Sequence, residues 1–190
     1  MSSQEVFNKI YQDSTWGYLS GPGSDPAVAK VWIDTVNKII SADDVRSILE
    51  IGCGDWRVGS HYSLEGKVYT GVDVSSEILK DRDNTETLTF VVGDALTMEL
   101  PTADVVLIKD VLQHLPTEQV ILLLKKLSSL APMVLICNDY SSTNQDTHLG
   151  GYRGLNLKTE PFNLNVVDLG SFPEGHRVKL IQSLVKDKEV

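Results

Sequence analysis

Apolar positions follow two rhythms along this chain, and the change between them falls at Arg46. Before it, Val28, Val31, Trp32, Val36, Ile39 and Ile40 trace one stripe of the helical repeat, which predicts a helix over Pro26–Ile40. Asp25 stands as its N-cap, with Pro26 at the first helical position, where a missing N–H costs nothing. A shorter helical pattern covers Gln4–Tyr11. Between the two, Asp13–Asp25 holds three glycines, a proline and three serines, a composition that opposes regular structure.

After Arg46 short, β-branched apolar runs take over: Ser47–Ile51, Lys67–Val72, Leu88–Val92, Ala103–Lys109 and Met133–Cys137. Runs that are apolar on both faces predict strands of a parallel sheet covered on both sides. Helical patterns over Ser75–Lys80 and Thr117–Leu130 fall between some of these runs. The alternation predicts a doubly wound α/β fold. Beyond Cys137 the segment Asn138–Leu157 is rich in Asn, Ser, Gly and Thr. Two last strand candidates, Asn165–Leu169 and Val178–Val185, flank the turn-forming Pro173-Glu-Gly-His176 and predict an antiparallel hairpin at one sheet edge.

The 190 residues make one domain's worth of chain, and 42% hydrophobic with 23% charged residues fits a globular protein. Seventeen basic against 26 acidic residues give a net charge of −9, which repels phosphate backbones and argues against a general nucleic-acid binder. The longest apolar runs, Val120–Leu124 and Met133–Cys137, fall far short of the roughly 20 residues that span a membrane. The first residues are polar and carry no signal-peptide core. Cys53 and Cys137 cannot build a disulfide framework or, alone, a zinc site, and no histidine–carboxylate spacing points to a metal. A soluble protein of the reducing cytoplasm is expected, with its oligomeric state left open.

Candidate chemistry gathers at the strand ends. The first strand reaches Glu50, and Gly52 and Gly54 bracket a tight turn that lets backbone approach a ligand. An ordinary strand–turn would read the same way. Asp73, however, ends the second strand 21 residues after Gly52, the spacing at which a carboxylate grips ribose hydroxyls. Asp94 follows after 21 more, and Asp110 ends a fourth strand. Four acidic strand ends at one sheet edge describe a nucleoside pocket.

The runs Glu50-Ile-Gly-Cys-Gly54, Gly71-Val-Asp-Val74, Val92-Gly-Asp-Ala95 and Asp104-Val-Val-Leu-Ile-Lys-Asp-Val-Leu-Gln-His-Leu115 resemble the successive motifs of class I S-adenosylmethionine-dependent methyltransferases. That resemblance covers Arg46 to Cys137. Trp16-Gly17, Ser20-Gly-Pro-Gly-Ser24, Tyr152-Arg-Gly-Leu-Asn-Leu-Lys158 and Pro161-Phe-Asn163 resemble more narrowly a small bacterial and viral subfamily, some of whose members are linked to glycan or sugar modification. The resemblance implies a Rossmann-like, seven-stranded, mostly parallel sheet ending in the antiparallel hairpin, and S-adenosylmethionine as cofactor. It implies one domain over 1–190: N-terminal helices and a lid loop in 1–45, a cofactor-binding core in 46–137, and a substrate loop with the hairpin in 138–190.

Carried over residue by residue, it places Glu50, Gly52 and Gly54 at the methionine end, Asp73 on the ribose, and Asp94 with the Ala95 backbone on the adenine. Cys53, Asp55, Val74, Lys109 and the loop residues Trp16, Ser20 and Gly21 would complete the cofactor site. Trp56 stands where the family often has a third glycine; it either shapes the methionine pocket or packs on a following helix. A nicotinamide or flavin enzyme would need a third glycine at position 57, which is Arg57, so that fingerprint fails.

For the reaction itself, His114 is a candidate base with Asp110 four residues before it, on one face if the segment is helical. Alternatively, His114 packs the turn before Pro116 and Asp110 caps a helix. Asp139 and Tyr140 end the fifth strand toward the same cleft, with Asp139 binding an acceptor hydroxyl or merely solvating its loop. His148, Tyr152 and Arg153 lie among glycines in a segment suited to closing over substrate, where Arg153 would hold a phosphate or carboxylate or else make a surface ion pair. His61 and His176 read as surface residues, and Cys53 has no base beside it for nucleophilic work. The expectation is methyl transfer to a small-molecule or sugar hydroxyl. The alternatives are a non-catalytic nucleoside-binding module and a nicotinamide-dependent oxidoreductase.

Overall fold

Runs that are apolar on both faces need neighbours on both faces, and they find them. In the computed structural model, which describes residues 1–185, β1 (Ser47–Ile51), β2 (Val68–Asp73), β3 (Leu88–Val92), β4 (Val105–Lys109) and β5 (Met133–Asp139) pair in parallel. Positions 186–190 of the expected C-terminal segment lie outside the described residues. Alternate residues of each strand serve opposite layers: Val105 and Leu107 join one core cluster, Val106 and Ile108 the other.

The first layer is covered by α2 (Lys30–Ile40), whose Trp32, Val36 and Ile40 are fully buried against Ile48, Tyr69 and Leu135. The second is covered by α1 (Ser3–Gln12), through Phe7 and Ile10, and by α4 (Thr117–Leu130), through Leu123, Leu124 and Leu127. Short α3 (Ser76–Leu79) packs beside α1, its first turn capped by the Ser75 side chain. A capping box fixes the start of α1: Glu5 N–H donates to Ser2 Oγ at 3.3 Å and Ser2 N–H to Glu5 Oε2 at 2.7 Å.

The structure moves the start of one helix and the end of one strand: the strand expected to stop at Leu169 runs to Glu174, so Pro173 and Glu174 pair in the ladder and leave the turn to Gly175 and His176. The helix expected from Pro26 begins at Lys30, because Asp25 Oδ1 takes the Ala27 N–H at 2.8 Å and closes a local turn instead of capping a helix.

β6 (Val166–Glu174) and β7 (Arg177–Leu184) form the antiparallel hairpin, turning at Gly175 with φ of 60°. The sheet order is β3-β2-β1-β4-β5-β7-β6, so the last strand inserts beside β5 and β6 becomes the edge. Strand order reverses between β1 and β4. Their carboxyl ends therefore splay apart, and a crevice opens there.

Candidate active site

The crevice is a cavity of about 420 Å³ reaching from the β1–β2 turn to the β6–β7 hairpin, within the range of small-molecule sites. Its first half is made by backbone turns. Gly52 and Gly54 take left-handed φ values of 72° and 55°. A Cβ at Gly52 would meet Val111 Cγ2 at 2.2 Å, and one at Gly54 would meet Ser20 Oγ at 2.5 Å, so both positions need glycine. Gly54 N–H donates to Asp73 Oδ2 at 3.0 Å and Ser75 N–H to Asp73 Oδ1 at 2.9 Å. Burial nevertheless pushes the Asp73 carboxyl up to about 6. Deeper in the wall, Glu50 accepts the Tyr62 hydroxyl at 3.1 Å and that of Tyr69, while burial pushes it up to about 7. Val74, Asp94 and Ala95 line the next stretch, with Asp94 Oδ1 holding the Leu96 N–H at 2.9 Å. Cys53 also lines the cavity, its thiol pushed well up by burial.

The loop after α1 folds over this half. Trp16, Ser20 and Gly21 face the cavity. Ser20 N–H donates to Asp55 Oδ2 at 3.3 Å, and Asp55 N–H returns a bond to Ser20 Oγ at 3.0 Å. Arg57 clamps both sides, with Nε on Asp55 Oδ2 at 2.7 Å and Nη2 on the Gly21 carbonyl at 3.1 Å. Lys109 Nζ reaches the Gly23 carbonyl at 2.8 Å.

The second half is made by charged side chains. Asp110 sits just past β4 in a left-handed conformation, φ 57°. Its carboxylate lies between Lys109 and Lys179, the latter 2.6 Å from Oδ1. Burial alone would push the Asp110 carboxyl up; the two ammonium groups outweigh it and hold it below its ordinary value. Lys179 is itself buried, and also lies 3.0 Å from Asp139 Oδ1 and 2.8 Å from Glu174 Oε2. His114 closes the wall, its ring stacked on Trp16 with centroids 4.4 Å apart. Its Nδ1 is 2.7 Å from the Gly151 carbonyl, which only accepts, so Nδ1 carries the proton, and the Nε2 lone pair faces the Gln113 amide nitrogen at 3.5 Å. Burial lowers the His114 pKa despite that bond, so the neutral ring prevails near pH 7.

Residues 49–132 match a family described as a methyltransferase domain. Solved structures share its fold across nearly the whole chain. A magnesium protoporphyrin IX methyltransferase from Synechocystis, with bound S-adenosylmethionine, superposes at TM-score 0.65 and 15% identity, covering 98% of each chain. A 1,6-didemethyltoxoflavin-N1-methyltransferase from Burkholderia thailandensis gives TM-score 0.67 at 17% identity, covering 96% of this chain and 87% of that one. The N-methyltransferase NodS from Bradyrhizobium japonicum gives 0.66 at 13%, covering 92% and 97%. No curated protein matches the chain. The fold is therefore the Rossmann-like class I methyltransferase fold.

The expected site residues sort into two groups. Glu50, Gly52, Cys53, Gly54, Asp55, Asp73, Val74, Asp94, Ala95, Lys109, Asp110, His114 and Tyr152 line the cavity together with Trp16, Ser20 and Gly21. Trp56 does not. No helix follows the glycine turn, only a short 3-10 turn at Gly59–His61, and the indole packs on Phe90 and Tyr69 with centroids 5.3 and 6.2 Å away. Asp110 and His114 do not form a helical pair either. A 3-10 turn spans Leu112–His114, Asp110 bonds to lysines and His114 to Gly151.

Asp139 lies behind the cavity wall, tied to Lys179, to Arg177 Nη1 at 3.1 Å and to the Tyr152 hydroxyl. Tyr140 is exposed outside the cavity, and His148 faces a separate shallow groove with Val6 and Lys9. Arg153 is buried as a staple: it donates to Thr117 Oγ1 at 2.7 Å and to the carbonyls of Gln145 and Leu115 at 2.8 and 2.9 Å, away from the cavity.

Among the cavity residues that sequence reasoning missed are the charged Glu174, Arg177 and Lys179. Their one sequence-level trace is opposite charge, since Lys179 pairs in register with Asp139 across β5 and β7. Among the described residues no cluster of three metal-ligating side chains occurs, and no helix is long and apolar enough to cross a membrane.

Proposed function

We propose that this protein transfers a methyl group from S-adenosylmethionine to a small-molecule acceptor, with a hydroxyl, as on a sugar, the favoured nucleophile. One observation carries the reading: the buried Asp73 carboxylate and the Gly52–Gly54 turn share one cavity with a neutral His114 whose Nε2 lone pair meets only a long 3.5 Å contact from the Gln113 amide. The donor set suits the cofactor. Asp73 has accepting capacity for a ribose diol, the glycine turn leaves room for the methionine end, and Asp94 with the Ala95 backbone suits the adenine. The cofactor supplies an electrophilic methyl group. Trp16 and the clipped Ser20–Ser24 loop exclude water from it, and His114 Nε2 accepts the proton that a hydroxyl loses. Both cysteines are free and buried, which suits the cytoplasm.

The test has two parts. Calorimetry with S-adenosylmethionine should show saturable binding that Asp73→Ala weakens at least tenfold, since each bond to a charged group contributes about 1.5–3 kcal/mol. Single-turnover methylation across a panel of hydroxyl and amine acceptors should then fall by about 10²–10⁴ in His114→Ala, with cofactor affinity retained. Unchanged affinity in Asp73→Ala would remove the ribose assignment. Tight binding with no turnover on any acceptor would make the chain a binding module instead.

A further inference from the structure

We propose that Arg177 binds an oxyanion at the far end of the cavity, so that the acceptor carries a carboxylate or phosphate group. This deepens the methyl-transfer reading and rests on it.

Six charged side chains build this end: Asp110, Asp139, Glu174, Lys109, Lys179 and Arg177. Five of them are committed to one another and withdrawn from solvent. Lys179 touches all three carboxylates, and Lys109 is held by Asp110 and the Gly23 carbonyl. The side chains of Lys109 and Lys179 are 5% and 1% exposed, whereas Arg177 is 38% exposed and lines the cavity. The six charges balance, and Arg177 is the most exposed of them.

The guanidinium is also held in place before any ligand arrives. Nη1 donates to Asp139 Oδ2 at 3.1 Å from behind, and Cζ lies 4.9 Å from the Tyr152 ring centroid. Its bond to Asp139 is made by Nη1, and the Tyr152 side chain also interacts with the guanidinium. A planar fork anchored at one nitrogen and stacked on an aromatic face has already lost much of its rotamer freedom, which suits it to a carboxylate or phosphate. Tyr152 connects this subsite to the reacting end, since its ring centroid lies 6.0 Å from that of His114. Arg153, whose type suggests the same role, directs its bonds to Thr117, Gln145 and Leu115 and is absent from the cavity.

The experiment uses the whole protein saturated with S-adenosylhomocysteine and titrated, at constant ionic strength, with inorganic phosphate and separately with acetate. Binding is followed by calorimetry and by the His114 ring resonances. The wild type should bind at least one of the two saturably with a shift at His114, and the arm that saturates names the oxyanion. Arg177→Leu should weaken it at least tenfold and Arg177→Lys by less, since lysine keeps the charge but not the fork. Arg82→Leu, a distant exposed cation, should leave it unchanged. Melting curves and retained S-adenosylhomocysteine affinity show that the variants are folded. No saturable anion binding in the wild type, or undiminished binding in Arg177→Leu, overturns the subsite alone. Failure to bind S-adenosylhomocysteine at all overturns the methyl-transfer reading and this inference with it.

Discussion

The two halves of the cavity bury acids in opposite ways. Around the glycine turn, Glu50 and Asp73 are buried against hydroxyls and backbone N–H groups with no cation bonded to them, and burial drives both pKa values upward. At the hairpin end, Asp110 is only partly buried, and Lys109 and Lys179 hold it below its ordinary value. The first half carries proton-accepting oxygens that a ligand rich in hydroxyl and amino groups would satisfy. The second half has balanced its own charges and works as a rigid, preorganised wall. Burial sets the cost in both places, and the presence of a cation decides whether the acid stays charged.

The sharpest way to break this contrast is Lys179→Met. It leaves Asp110, Asp139 and Glu174 short of their shared cation in a buried place, which typically costs about 3–5 kcal/mol. Denaturant unfolding should show a loss of that order, with S-adenosylmethionine affinity nearly intact because the glycine-turn half is untouched. A loss below about 1 kcal/mol would mean that the wall is wet and the network no more than a surface ion pair.

The next largest effect concerns pH. A carboxyl whose folded pKa is raised binds its proton more tightly in the folded state, so its contribution is fully present below the unfolded pKa and is lost as pH rises toward the folded one. For Glu50 the window runs from 4.5 to about 7, and for Asp73 from 3.8 to about 6. Stability of the ligand-free protein should therefore decline from pH 3.8 to about 7, by up to about 1.4 kcal/mol per pH unit for each group within its own window. Glu50→Gln should flatten the upper part of that decline in a series of thermal melts. A slope unaltered by the substitution would show that Glu50 titrates normally.

The smallest effect sharpens the comparison at its boundary. Ser20→Ala removes the hydroxyl that holds the Asp55 N–H and ties the covering loop to the glycine turn. A single such bond contributes about 0.5–1.5 kcal/mol, so S-adenosylmethionine should bind several-fold more weakly, with the melting temperature shifted little. Equal affinity in calorimetry would show that the Ser20 N–H, Arg57 and Lys109 bonds suffice to secure the loop.

Much of the glycine-turn half was legible from the residues themselves. Its parts lie within one stretch of chain, and each is set by local rules: a strand ends, glycines allow left-handed turns, and a carboxylate follows the next strand at a fixed spacing. The parallel core was legible for the same reason, since two-sided hydrophobicity along β1, β4 and β5 demands cover on both faces. Trp56 was not, because a tryptophan after a glycine turn looks alike whether it faces a ligand or an aromatic layer. Only its contacts with Tyr69 and Phe90 decide.

By itself, then, the sequence determined the strands, the turn chemistry and the acidic strand ends, all features whose causes act over a few residues. Tertiary structure alone decided the hairpin end. Lys179 alternates with apolar residues as any solvent-facing strand lysine would, and it is buried only because β7 inserts beside β5 and brings Asp139, Asp110 and Glu174 around it. Arg153 and Arg177 are equally plausible anion binders as residue types. Long-range packing sends one guanidinium inward to staple the end of α4 and leaves the other at the cavity, a choice made by contacts between segments far apart in the chain and carried by no local pattern.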